Sequence, residues 1–339
     1  MAAVDILLAT YNGARYLPEL LASLEAQTFR DWRLIVRDDG SSDGSLTLVE
    51  DWTAAAGRAL TVLRDGDRGL GPRSSFARLL EASDAPHFLF CDQDDVWRPE
   101  KVAVLLEAAR AAQVEAGAGR PVLAHCDLAV VDRDLATLHP SFWDQQGYTY
   151  RAARAGAGDS HIRKSLILRN FVTGCAMLGN ADLRRAMLPV PETMSMHDWW
   201  AAHIAAQYGR IVAVDRPLID YRQHGQNAVG ARVRTFRMMI ERLFTEPRKA
   251  LERTRKASRM LSSQAGAVLA RFGADMTAPE RRFAADFAAL GRGLRRASGW
   301  RLLWWSLGEK RHRALTTLIL FETISPTAGR TGSTPPRSP

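Results

Sequence analysis

HFLFCDQDDVW, residues 87–97, carries Phe88, Leu89, Phe90 and Cys91 straight into Asp92, Asp94 and Asp95. A short apolar run bounded by a polar turn reads as a buried strand. Carboxylates packed this closely repel one another unless something positive joins them. The stretch therefore predicts a strand that ends at a site for a cation. Its neighbours extend the pattern on both sides. VDILLAT (4–10) reads as a strand and leads into a helical spacing on Leu17, Leu20, Leu21 and Leu24. WRLIVRDD (32–39), LTVLRD (60–65) and VLAHCDLAVVD (122–132) are further strands. Between them lie helical patterns at 45–57, at 74–83 with a Ser as N-cap candidate, and from Pro99 to about Glu115. Strands alternating with helices at this spacing imply βαβ units, and so an α/β, Rossmann-like, mostly parallel sheet flanked by helices.

Polar residues gather where those strands end: Thr10, Tyr11 and Asn12 after the first, Asp38 and Asp39 after the second, Asp92 to Asp95 after the fourth. Ligands of open α/β sheets bind outside the carboxyl ends of the strands, so the three clusters are expected to form a single site. Within it, Asp92-Gln93-Asp94 offers the hard oxygen donors that suit Mg²⁺ or Mn²⁺. A solvated acidic turn explains a lone D-x-D equally well, and the strand-end placement is what favours the metal. In RDDGSSDGS (37–45), Asp43 is a candidate cap for the next helix. The adjacent Asp38 and Asp39 exceed what a turn requires and can accept from a pyrimidine N–H or a ribose hydroxyl.

Further along, residues 140–170 read as a loop-rich connection punctuated by Gly147, Gly156 and Gly158. NFVTGCAMLGN (170–180) resumes as a strand, with Gly174 where a bulky side chain would block a close approach. MHDWWAAHIAAQYG (196–209) reads as a helix with Asp198 at its start, and RIVAVDRPLIDYRQHG as short strands. The chain is 339 residues long and 46% hydrophobic, enough for a sizeable core, and 24% charged, which argues against wholesale disorder. Cys91, Cys126 and Cys175 lie far apart in apolar contexts, which reads as reduced and intracellular, neither a disulfide framework nor a zinc site. The N-terminus lacks a basic region and a cleavage site, so no signal peptide is expected. No run approaches the roughly 18 uncharged apolar residues of a spanning helix.

The net charge of +9 is uneven: 22 Lys/Arg against 8 Asp/Glu from residue 231 onward, 24 against 29 before it. RVRTFRMMIERLF (232–244) and WRLLWWSLGEKRHRALTTLILFETI (300–324) mix Arg with aromatic and aliphatic residues at helical spacing. Such helices suit an anionic membrane surface, and packing of the apolar stripe on the rest of the chain or on a second subunit is the plainer explanation. No base-stacking or groove-reading motif accompanies the charge, which counts against nucleic acid. The expected organisation is a catalytic domain over 1–230, a basic helical region over 231–325 and a disordered tail over 326–339.

ATYNG, RDDGSSDGS, DQDDVW and the later HDWW, in this order and spacing, resemble the inverting, GT-A-fold glycosyltransferases of family 2 over about residues 4–230. The DQDDVW and HDWW forms are similar to its rhamnosyltransferase-type branch. The resemblance implies that Thr10, Tyr11 and Asn12 line a nucleotide pocket, that Asp38 and Asp39 contact base and ribose, and that Gly174 borders the sugar. It implies Asp92 and Asp94 as ligands of Mg²⁺ or Mn²⁺ against the diphosphate, with His224 of YRQHGQN as a third. Asp198 becomes the general base, in a motif where many relatives carry Glu-Asp and this chain carries His197-Asp198. Asp95, Trp97, His197, Trp199, Trp200 and Arg222 are left as sugar or acceptor contacts, with one of the two adjacent tryptophans expected to face the acceptor. The unaided alternatives are an N-cap for Asp198, core packing for the tryptophans and for His224, and a surface ion pair for Arg222.

The implied partners are a nucleotide-sugar donor, dTDP-rhamnose or a UDP-sugar, and a saccharide or lipid-linked acceptor at the cytoplasmic face of a membrane. Two other classes fit parts of the pattern. A sugar-nucleotide-binding module without turnover would keep the site but not depend on Asp198. A nucleotidyltransferase would want a Gly/Lys/Arg-rich phosphate loop after the first strand, and ATYNGARY is a poor match.

Overall fold

The computed structural model describes residues 2–146, 160–224, 245 and 247–290. The chain divides into two compact units, Met1–Val233 and Arg234–Pro339. In the first unit the strands are β1 (Val4–Thr10), β2 (Trp32–Asp38), β3 (Leu60–Val62), β4 (His87–Asp92), β5 (Val96–Trp97), β6 (Val122–Val131), β7 (Thr137–His139), β8 (Met177–Asn180) and β9 (Arg210–Arg222). The helices are α1 (Leu17–Glu25), α2 (Ser45–Ala55), α3 (Gly71–Ala82), α4 (Lys101–Ala116), α5 (Phe142–Gln146), α6 (Ser160–Leu168), α7 (Ala181–Met187) and α8 (His197–Tyr208).

All nine strands join one sheet in the order β3-β2-β1-β4-β8-β6-β9-β5, with β7 beside β6. The N-terminal stretch β3-β2-β1-β4 is parallel throughout, as expected. Beyond it the sheet is mixed: β8 enters antiparallel between β4 and β6, β7 and β5 pair antiparallel, and β6 with β9 is again parallel. Strand direction is set by the connections and leaves no mark in hydrophobic periodicity. Both faces of the parallel part are covered, which explains why VDILLAT is an almost unbroken buried run. Ile6 and Leu8 pack with Leu17, Leu20 and Leu24 of α1 and Leu105 of α4. On the other face Phe76 of α3 meets Phe90 edge-on at 5.1 Å.

Four element boundaries differ from expectation. The third helix begins at Gly71 rather than 74, and no side chain of its own caps it. Pro72 presets its first turn, and Asp39 across the sheet accepts from the main-chain N–H groups of Leu70 and Gly71. The fourth helix begins at Lys101, two residues past Pro99. The 140–170 connection contains α5 and α6, while Gly147, Gly156 and Gly158 lie outside the described residues. NFVTGCAMLGN splits into a 3-10 turn at Gly174–Ala176 and then β8, and the expected short strands after 209 form the single long β9.

Four histidines are buried in this unit, His87, His125, His197 and His203, and burial pushes the last three down to about 3. His125 sits against Trp143 and Phe171 with neither ring nitrogen hydrogen-bonded. Replacing it by Phe removes two buried unpaired nitrogens, and a gain of about 1–3 kcal/mol is expected. A histidine held below its ordinary 6.5 loses stability as pH falls, because the unfolded chain takes the proton first. The gap between His125→Phe and the parent should therefore widen by about 1.4 kcal/mol per pH unit below 6.5. Thermal melts between pH 4 and 8, values chosen to span roughly that window, read this directly; parallel curves would contradict it.

In the second unit, α9 (Pro247–Phe272) and α10 (Ala278–Ala288) are the described helices. Leu261, Ala265, Val268 and Phe272 recur at helical spacing and are buried, as are Ala284 and Phe287 of α10. A capping box between Thr277 and Glu280 starts α10, and the Ser262 hydroxyl donates to the Ala288 carbonyl at 2.6 Å. The basic segments 232–244 and 300–324 and the tail 326–339 lie outside the described residues. No helix among the described residues is long and apolar enough to cross a membrane.

Candidate active site

Strand register brings the expected clusters together. Thr10 pairs with Asp38 across β1 and β2, and Ala9 pairs with Asp92 across β1 and β4, so three adjacent parallel strands end level. Gln93, which sequence reading passed over, ties them. Its Oε1 accepts from the Thr10 hydroxyl and the Tyr11 main-chain N–H, both at 2.8 Å, and its Nε2 donates to the Tyr11 carbonyl. Glycine at 13 leaves room for this side chain, since a Cβ there would stand 2.2 Å from Gln93 Oε1. Tyr11 is left 56% exposed at the rim, and Asn12 takes the left-handed backbone conformation with its side chain accepting from the Ser42 N–H.

The two aspartates after β2 are occupied within the chain. Asp38 accepts from the N–H groups of Gly40 and Ser41 and from the Ser41 hydroxyl, so it shapes the turn. Asp39 accepts from Arg37 at 2.7 Å and from the N–H groups of Leu70 and Gly71. Burial works to raise its pKa, but those three donors outweigh it and hold the carboxyl below its usual range. Arg37, fully buried, also bonds Asp65 and Ser75. An arginine inside the apolar run of WRLIVRDD was the signal for it. Asp43 accepts from the N–H groups of Ala14 and Ser45, close to its expected capping role.

Past β4 the carboxylates separate. Asp92 is half-buried, and burial with the nearby Asp94 and Asp198 pushes it up to about 7, against the pull of Lys101. Asp94 meets His224 Nε2 at 2.7 Å, and His224 stacks on Tyr16 at 4.8 Å. This joins two of the three expected metal ligands. The trio whose ligand atoms all lie within 4.8 Å of one another is a different one, Asp92, Asp95 and Cys175. Hard carboxylate oxygens with an imidazole, clustered so that burial and the neighbouring Asp94 raise Asp92 and Asp95, fit a divalent cation.

Asp198 stands at the start of α8. Its Oδ2 accepts from the Gly174 N–H at 2.9 Å and its Oδ1 from the Trp199 N–H at 2.6 Å. Burial outweighs both bonds and pushes it up to about 7. A Cβ on Gly174 would lie 3.0 Å from His197 Nε2 and 3.5 Å from Asp198 Oδ2, so glycine permits the close approach.

The expected sugar and acceptor contacts mostly face inward. His197 is sandwiched between Phe76 and Phe90, each at 4.3 Å, with no hydrogen bond from either ring nitrogen. Trp199 and Trp200 are both buried, their indole N–H groups donating to the carbonyls of Leu166 and Met187, so neither faces outward as one was expected to. Trp97 is buried under the Lys101 ammonium, 3.1 Å from the ring centroid. Arg222 is buried, with its main-chain N–H donating to Asp95 and its side chain to the Asp94 and Arg133 carbonyls and Glu19. It braces the acidic turn from a buried position while also pairing with the exposed Glu19, the surface acid of the plainer alternative. Lys101, fully buried, donates to the Cys175 carbonyl at 2.6 Å. A lone lysine opening the apolar KVAVLL run was its only trace in the sequence.

Parallel strands that end level beneath an acidic loop, with a buried carboxylate on a helix facing them, are the layout of a GT-A fold. The architecture is that of S. aureus TarS 1-349 solved with UDP-GlcNAc (TM-score 0.52, 17% identity, 94% of this chain and 90% of that one). It is also that of the mannosyltransferase PcManGT from Pyrobaculum calidifontis, solved with GDP-Man and Mn²⁺ (TM-score 0.51, 16% identity, 95% and 85%). Residues 5–153 match the family model "Glycosyl transferase family 2". Among curated relatives, it is 25% identical over 240 residues to the dTDP-rhamnosyl transferase RfbG of Shigella flexneri, covering 70% of this chain and 78% of that one. An uncharacterised glycosyltransferase of Nostoc, alr2836, is 26% identical over 231 residues, 66% of each chain.

Proposed function

We propose that this chain is a family 2 glycosyltransferase that moves L-rhamnose from dTDP-rhamnose to a hydroxyl of a saccharide or lipid-linked acceptor, with inversion. The observation that carries the mechanism is Asp198, a buried carboxylate held at the start of α8 by the Gly174 and Trp199 N–H groups and pushed up to about 7 by burial. Asp92 and Asp94, with His224, would hold Mg²⁺ or Mn²⁺, which when bound supplies charge stabilisation to the diphosphate. Thr10, Tyr11, Asn12 and Asp38 would border the nucleotide, and Gly174 the sugar. Each oxygen of Asp198 keeps a lone pair beyond its main-chain bond, so it can take the proton of the acceptor hydroxyl. As that proton leaves, the acceptor oxygen bonds the anomeric carbon and the bond to diphosphate breaks, with no enzyme nucleophile needed.

The rhamnose reading is supported by the likeness to the Shigella enzyme and by the DQDDVW and HDWW forms. A UDP-sugar is the second reading, supported by the fold shared with a protein solved with UDP-GlcNAc. Thermal-shift titration with dTDP-, UDP- and GDP-sugars, with and without Mn²⁺, separates them. The expected result is a Mn²⁺-dependent shift largest with dTDP-rhamnose; no shift with any nucleotide sugar would sink both. The exposed Lys249, Arg253, Arg255, Lys256 and Arg259 of α9 support a cytoplasmic protein docked on an anionic membrane surface. Co-sedimentation with phosphatidylglycerol vesicles but not with phosphatidylcholine vesicles is expected, and equal recovery with both would refute it.

A further inference from the structure

Asp92, Asp95 and Cys175 present two carboxylate oxygens and a thiol sulfur within 4.8 Å of one another. Neither Cys175 nor the second oxygen of Asp95 has a role in sugar transfer as described. Asp95 is 1% exposed; its Oδ1 takes the main-chain N–H of Arg222, whereas Oδ2 is buried with no hydrogen-bond partner. An unpaired carboxylate oxygen in the interior costs desolvation energy, of which the neighbouring Cys175 thiol, a weak donor, returns little. We propose that these three side chains form a second cation site, selective for a thiophilic divalent ion of the Zn²⁺ or Cd²⁺ class, sharing Asp92 with the donor site.

The donor chemistry sets the selectivity. Thiolate sulfur is a soft ligand that Mg²⁺ rejects and Zn²⁺ or Cd²⁺ takes, and three protein ligands leave one open position. Charge closes as well. Two carboxylates and a thiolate balance a divalent ion and one further positive charge, and the buried Lys101 ammonium supplies that charge from its bond to the Cys175 carbonyl. The thiolate is the form of cysteine that binds metal, so binding releases the thiol proton. Asp92 is the half-buried member and offers the way in from the cleft. Because it is also read as a donor-site ligand, an ion bound here competes with Mg²⁺ or Mn²⁺; that consequence, unlike the binding itself, rests on the proposed function.

The test is Cd²⁺ titration of the metal-free full-length chain, followed by the ultraviolet thiolate-to-Cd²⁺ charge-transfer band. A band saturating at a single equivalent is expected in the parent and in Cys91→Ser and Cys126→Ser, and its loss in Cys175→Ser. Asp95→Asn, which keeps every cysteine, should weaken the apparent affinity about tenfold or more, and Zn²⁺ should bleach the band. No band in the parent, a band that survives in Cys175→Ser, or unchanged affinity in Asp95→Asn overturns the site. The band is read without any sugar nucleotide, so its absence leaves the transferase reading standing.

Discussion

Asp198→Asn is expected to lower kcat by about 10²–10⁴-fold, the range that general-base removal costs, while Mn²⁺-dependent donor binding persists. The donor side of the site is built by β1, β2 and β4, whereas Asp198 sits on α8 and touches Gly174 and Trp199. In the parent, kcat/KM should rise with pH through about 7, where Asp198 releases its proton. Stability should move the other way. A carboxyl whose pKa is raised from 3.8 to about 7 favours the fold most when protonated, and that contribution is lost as pH climbs through 7. The Asn variant carries no such charge, so at pH values about one unit above 7 it should melt higher than the parent although it transfers poorly. Full activity in Asp198→Asn would remove the base assignment and favour a site that binds nucleotide sugar without turnover.

Arg37→Met is expected to cost about 3–5 kcal/mol, the penalty for stripping one partner from a buried ion pair. Arg37 is wholly buried and joins Asp39 at 2.7 Å, Asp65 at 2.8 Å and Ser75 at 2.9 Å. Without it Asp39 keeps only the N–H groups of Leu70 and Gly71, and the start of α3 loses the anchor that locates it. Denaturant unfolding of Arg37→Met against the parent reads the loss. Arg37→Met with Asp39→Asn should recover part of it, since the stranded charge is then gone as well. A single-variant change below about 1 kcal/mol would mean that water reaches Asp39 freely.

Much of this architecture is legible in the chain itself. The alternation of apolar strand and amphipathic helix over residues 4–132 is dictated by burial on both faces of a parallel sheet, and periodicity reports burial. The polar strand ends could be placed at one edge for the same reason, since parallel strands all present their carboxyl ends to the same side. The likeness to family 2 could be read from four short motifs because their residue types are those the proposed chemistry requires: carboxylates for a cation and a base, and small residues where backbone must approach. Asp198 belongs to that legible part, and so does the pairing of Asp94 with a histidine.

Other features required the folded chain. Nothing in HDWW distinguishes a tryptophan that meets sugar from one whose indole N–H is spent on the Leu166 or Met187 carbonyl. Nothing in RDDGSS says that Asp39 accepts from the N–H groups 31 and 32 residues onward that open a helix, because a cap supplied across a sheet has no fixed sequence spacing. The insertion of β8 between β4 and β6 brings Cys175 to Asp92 and Asp95, over a separation that no local pattern spans. Lys101 likewise looks like a surface residue until α4 turns it inward, where it becomes the fixed positive charge under an acidic turn. The sequence by itself determined which chemistry gathers at the strand ends, because side-chain type and strand order are local or periodic properties. Only the tertiary structure decided which of those carboxylates remain available, because hydrogen bonds from Arg37, Arg222 and the turns' own N–H groups come from residues brought together by the fold.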